Sequence, residues 1–264
     1  MSYVYPVVSR RAGGVSIGIN LNTNNACNWR CIYCQVPGLV RGAALEVDLT
    51  VLAAELDSML ESVVQGDFMT ARVPVALRKL VDIAFSGNGE PTSSRQFASA
   101  VELVIAALGK WHLRESVPVR VITNGSWMDR ASVQAAIARI GASGGEIWFK
   151  VDAVTESTFK AINGVKLDRT ILARRLTSCA RHCPTWVQTC LFNVDGLPLS
   201  DPDQSELVQF LGDHSGVIRG VHLYSLARTP AQPGSERLSP ANEAYMNEVA
   251  RRLQEKGLTV TVSP

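Results

Sequence analysis

The sequence predicts an α/β protein built as an open, partial (β/α)6 barrel of TIM type around a parallel sheet. Three observations carry that expectation. Short β-rich runs alternate with helical stretches, the rhythm of βα units feeding parallel strands. Six such units fit into roughly 220 residues, short of the eight that a closed barrel spreads over about 250. The chain has 264 residues, 46% of them apolar, with no internal repeat and no low-complexity linker. That is enough for one sizeable core, so residues 1–264 are expected to form a single domain. A flat, doubly wound sheet is the competing architecture. In either, ligands gather at the carboxyl ends of the strands.

The elements follow in order. Residues 15–20 form the first strand, with Val15, Ile17 and Ile19 on one face and Ser16, Gly18 and Asn20 on the other. The apolar set meets the helices, so the small polar set faces inward. A cysteine loop spans residues 21–35. Residues 50–65 read as a helix capped by Thr50, with Leu52, Leu56, Met59, Leu60 and Val63 at helical spacing. The second strand, 81–85, ends in Ser86-Gly87-Asn88-Gly89. A helix over 94–108 precedes the third strand, 117–123, which Asn124-Gly125 stops. After a helix over 130–140, the fourth strand covers 146–152. Its Ile147, Phe149 and Val151 pack outward, leaving Trp148, Lys150 and Asp152 inward. A helix over 168–183, a strand over 186–192, a helix over 203–211 and a strand over 220–225 complete the six units. The last helix, 240–256, ends at Gly257, and residues 258–262 form a closing strand.

Lys plus Arg number 26 and Asp plus Glu 24, a net charge of +2. The pairs Arg10-Arg11, Arg174-Arg175 and Arg251-Arg252 fall on different elements, so composition does not support a nucleic-acid partner, and it gives no case for a membrane surface. No apolar run reaches the roughly 18 residues of a membrane span. The first eleven residues lack a secretory apolar stretch, and a cytoplasmic protein is expected.

The six cysteines fall into two groups. Cys27, Cys31 and Cys34 follow the first strand at the predicted barrel mouth. Three thiolates at this spacing can hold three corners of a cubane iron–sulfur cluster and leave the fourth iron open. Zinc and copper(I) share the preference for sulfur, although zinc ordinarily takes four ligands. The second group, Cys179, Cys183 and Cys190, does not form a site by this reading. Cys179 and Cys183 close the helix before the fifth strand. Cys190 lies near that strand's far end, about 23 Å away along an extended chain. Cys179 and Cys183 are expected in the core. Cys190 shares a face with Gln188 and is either a buried residue, a substrate ligand or a hydrogen-atom donor. Lys150 and Asp152 form an inward pair that is costly unless matched or used. Lys150 is a structural ion-pair partner, a substrate ligand or a carbonyl-reactive amine, because desolvation can lower a lysine's pKa and favour Schiff bases. After the sixth strand, His222, Tyr224 and Arg228 lead into a Pro/Gly-rich loop at the mouth, where Arg228 can meet an anionic substrate. His112, His182 and His214 read as exposed.

The Cys27-x3-Cys31-x2-Cys34 spacing resembles the cluster motif of the radical S-adenosylmethionine enzymes. Ser86-Gly87-Asn88-Gly89-Glu90-Pro91-Thr92 is similar to their glycine–glutamate–proline segment. Pro6 through Arg11, Gly18-Ile19-Asn20-Leu21 and Gln35 further resemble the wyosine-synthase-like branch. The similarity covers most of residues 1–230 and is strongest before residue 92.

The resemblance implies a 4Fe–4S cluster on Cys27, Cys31 and Cys34, with the methionyl amino and carboxylate groups of S-adenosylmethionine on its open iron. It implies cofactor contacts from Gly87, Asn88, Gly89, Glu90 and Pro91, with Glu90 accepting from the methionyl ammonium. Tyr33 is expected against the adenine. Thr123, Asn124 and Gln188 are expected along the cofactor, and Asp152, inward by the alternation of its strand, is expected near the cofactor ribose or at the substrate as a catalytic residue. Those synthases carry a further N-terminal cysteine set, whereas no cysteine precedes Cys27 here, so one cluster is expected and their pyruvate condensation is not carried over. The activity implied is reductive cleavage of S-adenosylmethionine, with an electron donor such as flavodoxin or ferredoxin and a substrate that is a small molecule, a nucleoside or RNA base, or a peptide. The alternative is a non-catalytic iron–sulfur or zinc carrier or redox sensor.

Overall fold

The computed structural model describes residues 2–9 and 13–263; Arg10 and Arg11 lie outside the described residues. One eight-stranded sheet carries the fold, and its strand order follows the chain. The strands are Val4–Ser9, Gly14–Ile19, Leu80–Phe85, Val119–Thr123, Glu146–Lys150, Thr185–Cys190, Gly220–Tyr224 and Val260–Ser263. All neighbours are parallel except the first pair. A sheet whose order never reverses winds one way, which puts its crossover helices on one face. Helices Leu49–Val64, Phe97–Lys110, Ala131–Ala142 and Arg169–His182 accordingly pack side by side in chain order. A doubly wound sheet needs a reversal and helices on both faces. The architecture is therefore the partial barrel, and it stays open because the two edge strands do not pair.

The convex face of the sheet is apolar: Ile17, Ile83, Val121, Ile147, Phe149 and Val187 are fully buried. The concave face carries the opposite register. Ser16 donates to Asp82, Arg120 bridges Asp82 and Glu146, and the Trp148 indole donates to Glu146 at 3.0 Å. Among the described residues, no helix is long and apolar enough to cross a membrane.

Three features differ from expectation. Strand Val4–Ser9 is absent from the sequence-based expectation, and it contains Pro6. An edge position tolerates it because the missing N–H has no neighbour to serve. A short antiparallel ribbon, Phe192–Val194 with Leu238–Pro240, lies just beyond the fifth parallel strand. The first helix is capped by Asp48, not Thr50, its carboxylate accepting from the N–H groups of Thr50 at 2.9 Å and Val51 at 3.1 Å. Asp48→Ala should lower stability by about 1 kcal/mol, read as a lower urea midpoint at constant slope. An unchanged midpoint would show that Thr50 takes over the cap.

Candidate functional site

A cavity of about 400 Å³ lies at the carboxyl ends of the strands, within the size range of small-molecule sites. The loop after Gly14–Ile19 gives it Cys27, Cys31, Tyr33 and Cys34. Lys150, Gln188, Cys190 and Tyr224 line it as well, and Gly87, Gly89 and Glu90 close another side.

Local chain chemistry sets the cysteine loop. Asn22 reaches across to the Ala26 carbonyl at 2.9 Å, and the Val40 and Gly42 N–H groups bond to the Asn25 and Cys27 carbonyls at 3.0 and 3.1 Å. Gly89 sits so close that a Cβ there would stand 2.1 Å from the Ala26 carbonyl oxygen, so the residue must be glycine. From the other side, the Pro/Gly-rich loop after strand Gly220–Tyr224 leans on the cysteines. The Ala231 N–H donates to Cys34 O at 2.9 Å and the Gln232 amide to Val36 O at 2.8 Å. Arg228 is exposed at the rim.

All six cysteines are free thiols. Burial pushes Cys27 up to about 11 and Cys31 up to about 12, and it raises Cys34 too. These groups hold their protons at neutral pH, and a soft metal group must displace them to bind. Two sulfurs already receive N–H groups: Cys27 from the Trp29 backbone at 3.4 Å, and Cys31 from the Asn163 amide at 3.3 Å. Among the described residues, no three His, Cys, Asp or Glu side chains are arranged to share one metal ion. Three soft thiols facing a roomy cavity fit separate corners of an iron–sulfur cluster, whereas a lone zinc ion takes four ligands around one point.

Glu90 lines the cavity and is also tied into the protein. Its buried carboxylate accepts from the N–H and hydroxyl of Thr92, from the Thr123 hydroxyl at 2.6 Å and from the Asn124 N–H at 2.7 Å. Burial pushes the carboxyl up and these donors pull it back, leaving it above the usual range. It is a strut between the ends of two strands, its Oε1 taking three donors and its Oε2 one. Thr123, fully buried, spends its hydroxyl on this strut and does not line the cavity, whereas Asn124 does. Pro91 is buried in the turn below. Asn88 bonds to Asn20 and Asn25 through its N–H and amide. Neither Pro91 nor Asn88 lines the cavity.

Lys150 and Asp152 form the second centre. Asp152 sits just past the strand Glu146–Lys150, 2% exposed. Its carboxylate accepts from the Tyr33 hydroxyl, the Asn163 amide at 3.1 Å and the Cys190 backbone N–H at 3.0 Å. The Lys150 ammonium lies 4.0 Å from it, donates to the Tyr224 hydroxyl at 2.9 Å, and stands 5.0 Å from the Tyr33 ring centre. Burial is the strongest single influence on the lysine and pushes it down, but Asp152, Tyr224 and Cys31 together outweigh burial and hold it above its ordinary value. The direction is opposite to desolvation acting alone, because these groups crowd the amine. Tyr33, whose hydroxyl is anchored on Asp152, packs 5.5 Å from Phe192.

Cys190 is buried on the wall between this cavity and a second one of about 340 Å³, and burial drives its thiol up strongly. Cys179 and Cys183 are buried apart from it, the former accepting from Thr185. His222 is not at the mouth: it stacks on Trp186, centroids 4.5 Å apart. His214 is half-buried against Phe210, while His112 and His182 are exposed. Sequence reasoning missed Asn163, which carries no local motif, and left Tyr224 without a role, although its alternation with Leu223 marks it as inward.

A singly wound open barrel with a three-cysteine loop after its first parallel strand and a glycine–glutamate turn after its second has the fold of the radical S-adenosylmethionine enzymes. Individual proteins sharpen the likeness. TYW1 with a lysine–pyruvate adduct bound superposes with a TM-score of 0.62 at 17% identity, covering 91% of this chain and 73% of that one. An archaeal TYW1 gives 0.54 at 15% identity, over 91% and 72%. The anSMEcpe protein with bound AdoMet gives 0.51 at 14% identity, over 81% and 52%. A UPF0026 protein of Methanocaldococcus jannaschii is 29% identical over 160 residues, 60% of this chain and 42% of that protein. A UPF0026 protein of Helicobacter pylori is 24% identical over 163 residues, 60% and 44%. The chain thus spans about two-fifths of the length of the curated relatives it matches. No family model matches the chain.

Glu90→Gln places an amide where four donors converge. It should cost about 1–3 kcal/mol, since the change leaves a buried donor without an acceptor, and chemical unfolding reads the loss. Wild-type stability in that variant would refute the strut.

Proposed function

We propose that this chain is a radical S-adenosylmethionine enzyme acting on a substrate that meets Lys150. The observation that carries the reading is a single cavity with three cluster-type thiols on one wall and a half-buried lysine, a buried amide and a buried thiol on another. The AdoMet bound to anSMEcpe supports it, on a shared fold. The chemistry that a 4Fe–4S cluster and S-adenosylmethionine supply when bound is reductive cleavage, with hydrogen abstraction from substrate by the 5′-deoxyadenosyl radical.

The protein's part is to hold, orient and keep water out. Cys27, Cys31 and Cys34 hold the cluster. The backbone at Gly87 and Gly89 admits the methionyl group closely, the Gln188 amide offers hydrogen bonds along the cofactor, and Asn124, whose amide is held by Asn28 and Ser126, borders it. Tyr33 presents its ring and Asp152 the polar edge beside it. Lys150, held charged by Asp152, binds a carbonyl or carboxylate oxygen of the substrate. The lysine–pyruvate adduct in TYW1 supports a carbonyl substrate at a lysine. A covalent adduct here requires Lys150 to release its proton before its nitrogen attacks the carbonyl carbon. The Cys190 thiol, on the cavity wall, is placed to donate a hydrogen atom to a substrate radical. A small molecule, a nucleoside or RNA base, and a peptide are all compatible substrates. The proposal includes a flavodoxin or ferredoxin as electron donor and a cytoplasmic setting, in keeping with six free thiols.

Two outcomes test this. Anaerobic reconstitution should load iron and sulfide in equal amounts, and dithionite with S-adenosylmethionine should then release 5′-deoxyadenosine. A full cluster that yields none, or zinc in its place, sinks the proposal and leaves the carrier reading. Lys150→Ala should abolish product with the true substrate while uncoupled 5′-deoxyadenosine continues. Borohydride trapping of the wild type then separates a covalent adduct from simple ligation. Full product formation by Lys150→Ala would remove the lysine from the site.

A further inference from the structure

Asn163 is fully buried, 132 positions from Cys31 in sequence, and outside every motif that points to the cofactor. It closes a π-helical turn, Phe159–Asn163, that comes after a capped turn of helix beyond the strand Glu146–Lys150. The Gly164 N–H bonds back to the Phe159 carbonyl, and Gly164 itself is left-handed at φ 64. The extra residue of such a turn rotates the chain beyond it by about 100° relative to an α-helix, and π turns recur at functional sites. Here Phe159, Ile162 and Asn163 are all buried, and the turn docks on the cysteine loop. The Arg30 N–H donates to Asn163 O and the Ile32 N–H to Ile162 O, both at 2.9 Å. Cys31 lies between those two anchored residues.

The side chain does the rest. Its Nδ2 lies 3.3 Å from the Cys31 sulfur and 3.1 Å from Asp152 Oδ2. The amide cannot be turned around, because a carboxylate accepts only, so nitrogen must face Asp152 and therefore also the sulfur. Its carbonyl oxygen is left buried without a hydrogen-bond partner, so the turn is arranged around the two N–H groups.

We propose that Asn163 is a positioning residue for the cluster, its amide N–H donating to the Cys31 sulfur and raising the reduction potential of the cluster held there. This rests on the radical S-adenosylmethionine reading. Donors aimed at ligand sulfurs stabilise the added electron and so raise the potential. Asn163 also links Cys31 to Asp152, which binds the geometry of the cluster ligand to that of the lysine wall.

The test uses the reconstituted full chain without S-adenosylmethionine. Asn163→Leu and the isosteric Asn163→Asp should each titrate at a lower midpoint than wild type in EPR-monitored reduction. Wild type grown on side-chain 15N-labelled asparagine should show a weak nitrogen coupling to the reduced cluster in pulsed EPR, lost in either variant. An unmoved midpoint at full iron loading overturns the inference. So does the absence of side-chain coupling in wild type, which decides the matter even if both variants fail to fold. A chain that forms no cluster overturns both this inference and the enzyme reading. A cluster with the nitrogen coupling that does not cleave S-adenosylmethionine overturns only the enzyme reading.

Discussion

A single buried anion organises the mouth of this barrel. Asp152, 2% exposed, cannot stay charged in a lumen without compensation, and its partners come from four different places in the chain. Tyr33 arrives from the cysteine loop, Asn163 from the π turn, the Cys190 N–H from the fifth parallel strand, and Lys150 from the fourth. Satisfying one carboxylate therefore fixes the cysteine loop against the barrel wall. The hydroxyl next in sequence to Cys34 and the amide on Cys31 share the same oxygen atom. Movement of the loop would break both, so the thiols inherit their positions from an acid that is not itself a metal ligand.

Glu90 offers the contrast. It is buried as deeply as Asp152, yet hydrogen bonds from Thr92, Thr123 and Asn124 surround it with neutral donors and no cation. Burial keeps its carboxyl above the usual range despite those donors, whereas Asp152 has an amine 4.0 Å away. The two acids thus act differently. One stitches the ends of neighbouring strands together, and the other keeps a lysine charged in a low-dielectric cavity.

Much of the architecture was legible because period-2 alternation is a local signal. Val15, Ile17 and Ile19, or Ile147 and Phe149, declare the convex face within a few residues, and the same alternation turns Trp148 and Lys150 inward. Cys27, Cys31 and Cys34 are legible for the same reason: their spacing is short. The features that escaped depend on distant partners. Tyr224 acquires its role from Lys150, 74 positions away, and Asn163 acquires its role from Cys31, 132 positions away. The engagement of Glu90 is set by Thr123 and Asn124, which its own motif does not contain. Val4–Ser9 escaped because Pro6 is tolerated only at a sheet edge, a position that topology and not sequence decides.

The inward faces of the strands are used in two layers with different electrostatics. Near the floor, Arg120 lies between Asp82 and Glu146, and its guanidinium stands 5.1 Å from the Trp148 ring while His222 stacks on Trp186. These side chains satisfy one another, as a polar layer must when there is no apolar packing to replace it. Toward the carboxyl ends the layer is less closed. The Lys150 ammonium has three donor positions and reaches the Tyr224 hydroxyl and the edge of Asp152, while Gln188, Asn124 and the thiols border open volume. Gln188 and Lys150 are the long polar side chains that face this volume. The floor layer borders a cavity of its own, about 530 Å³, so what separates the two ends of the lumen is chemistry: paired charges and stacked rings below, thiols and a lysine above.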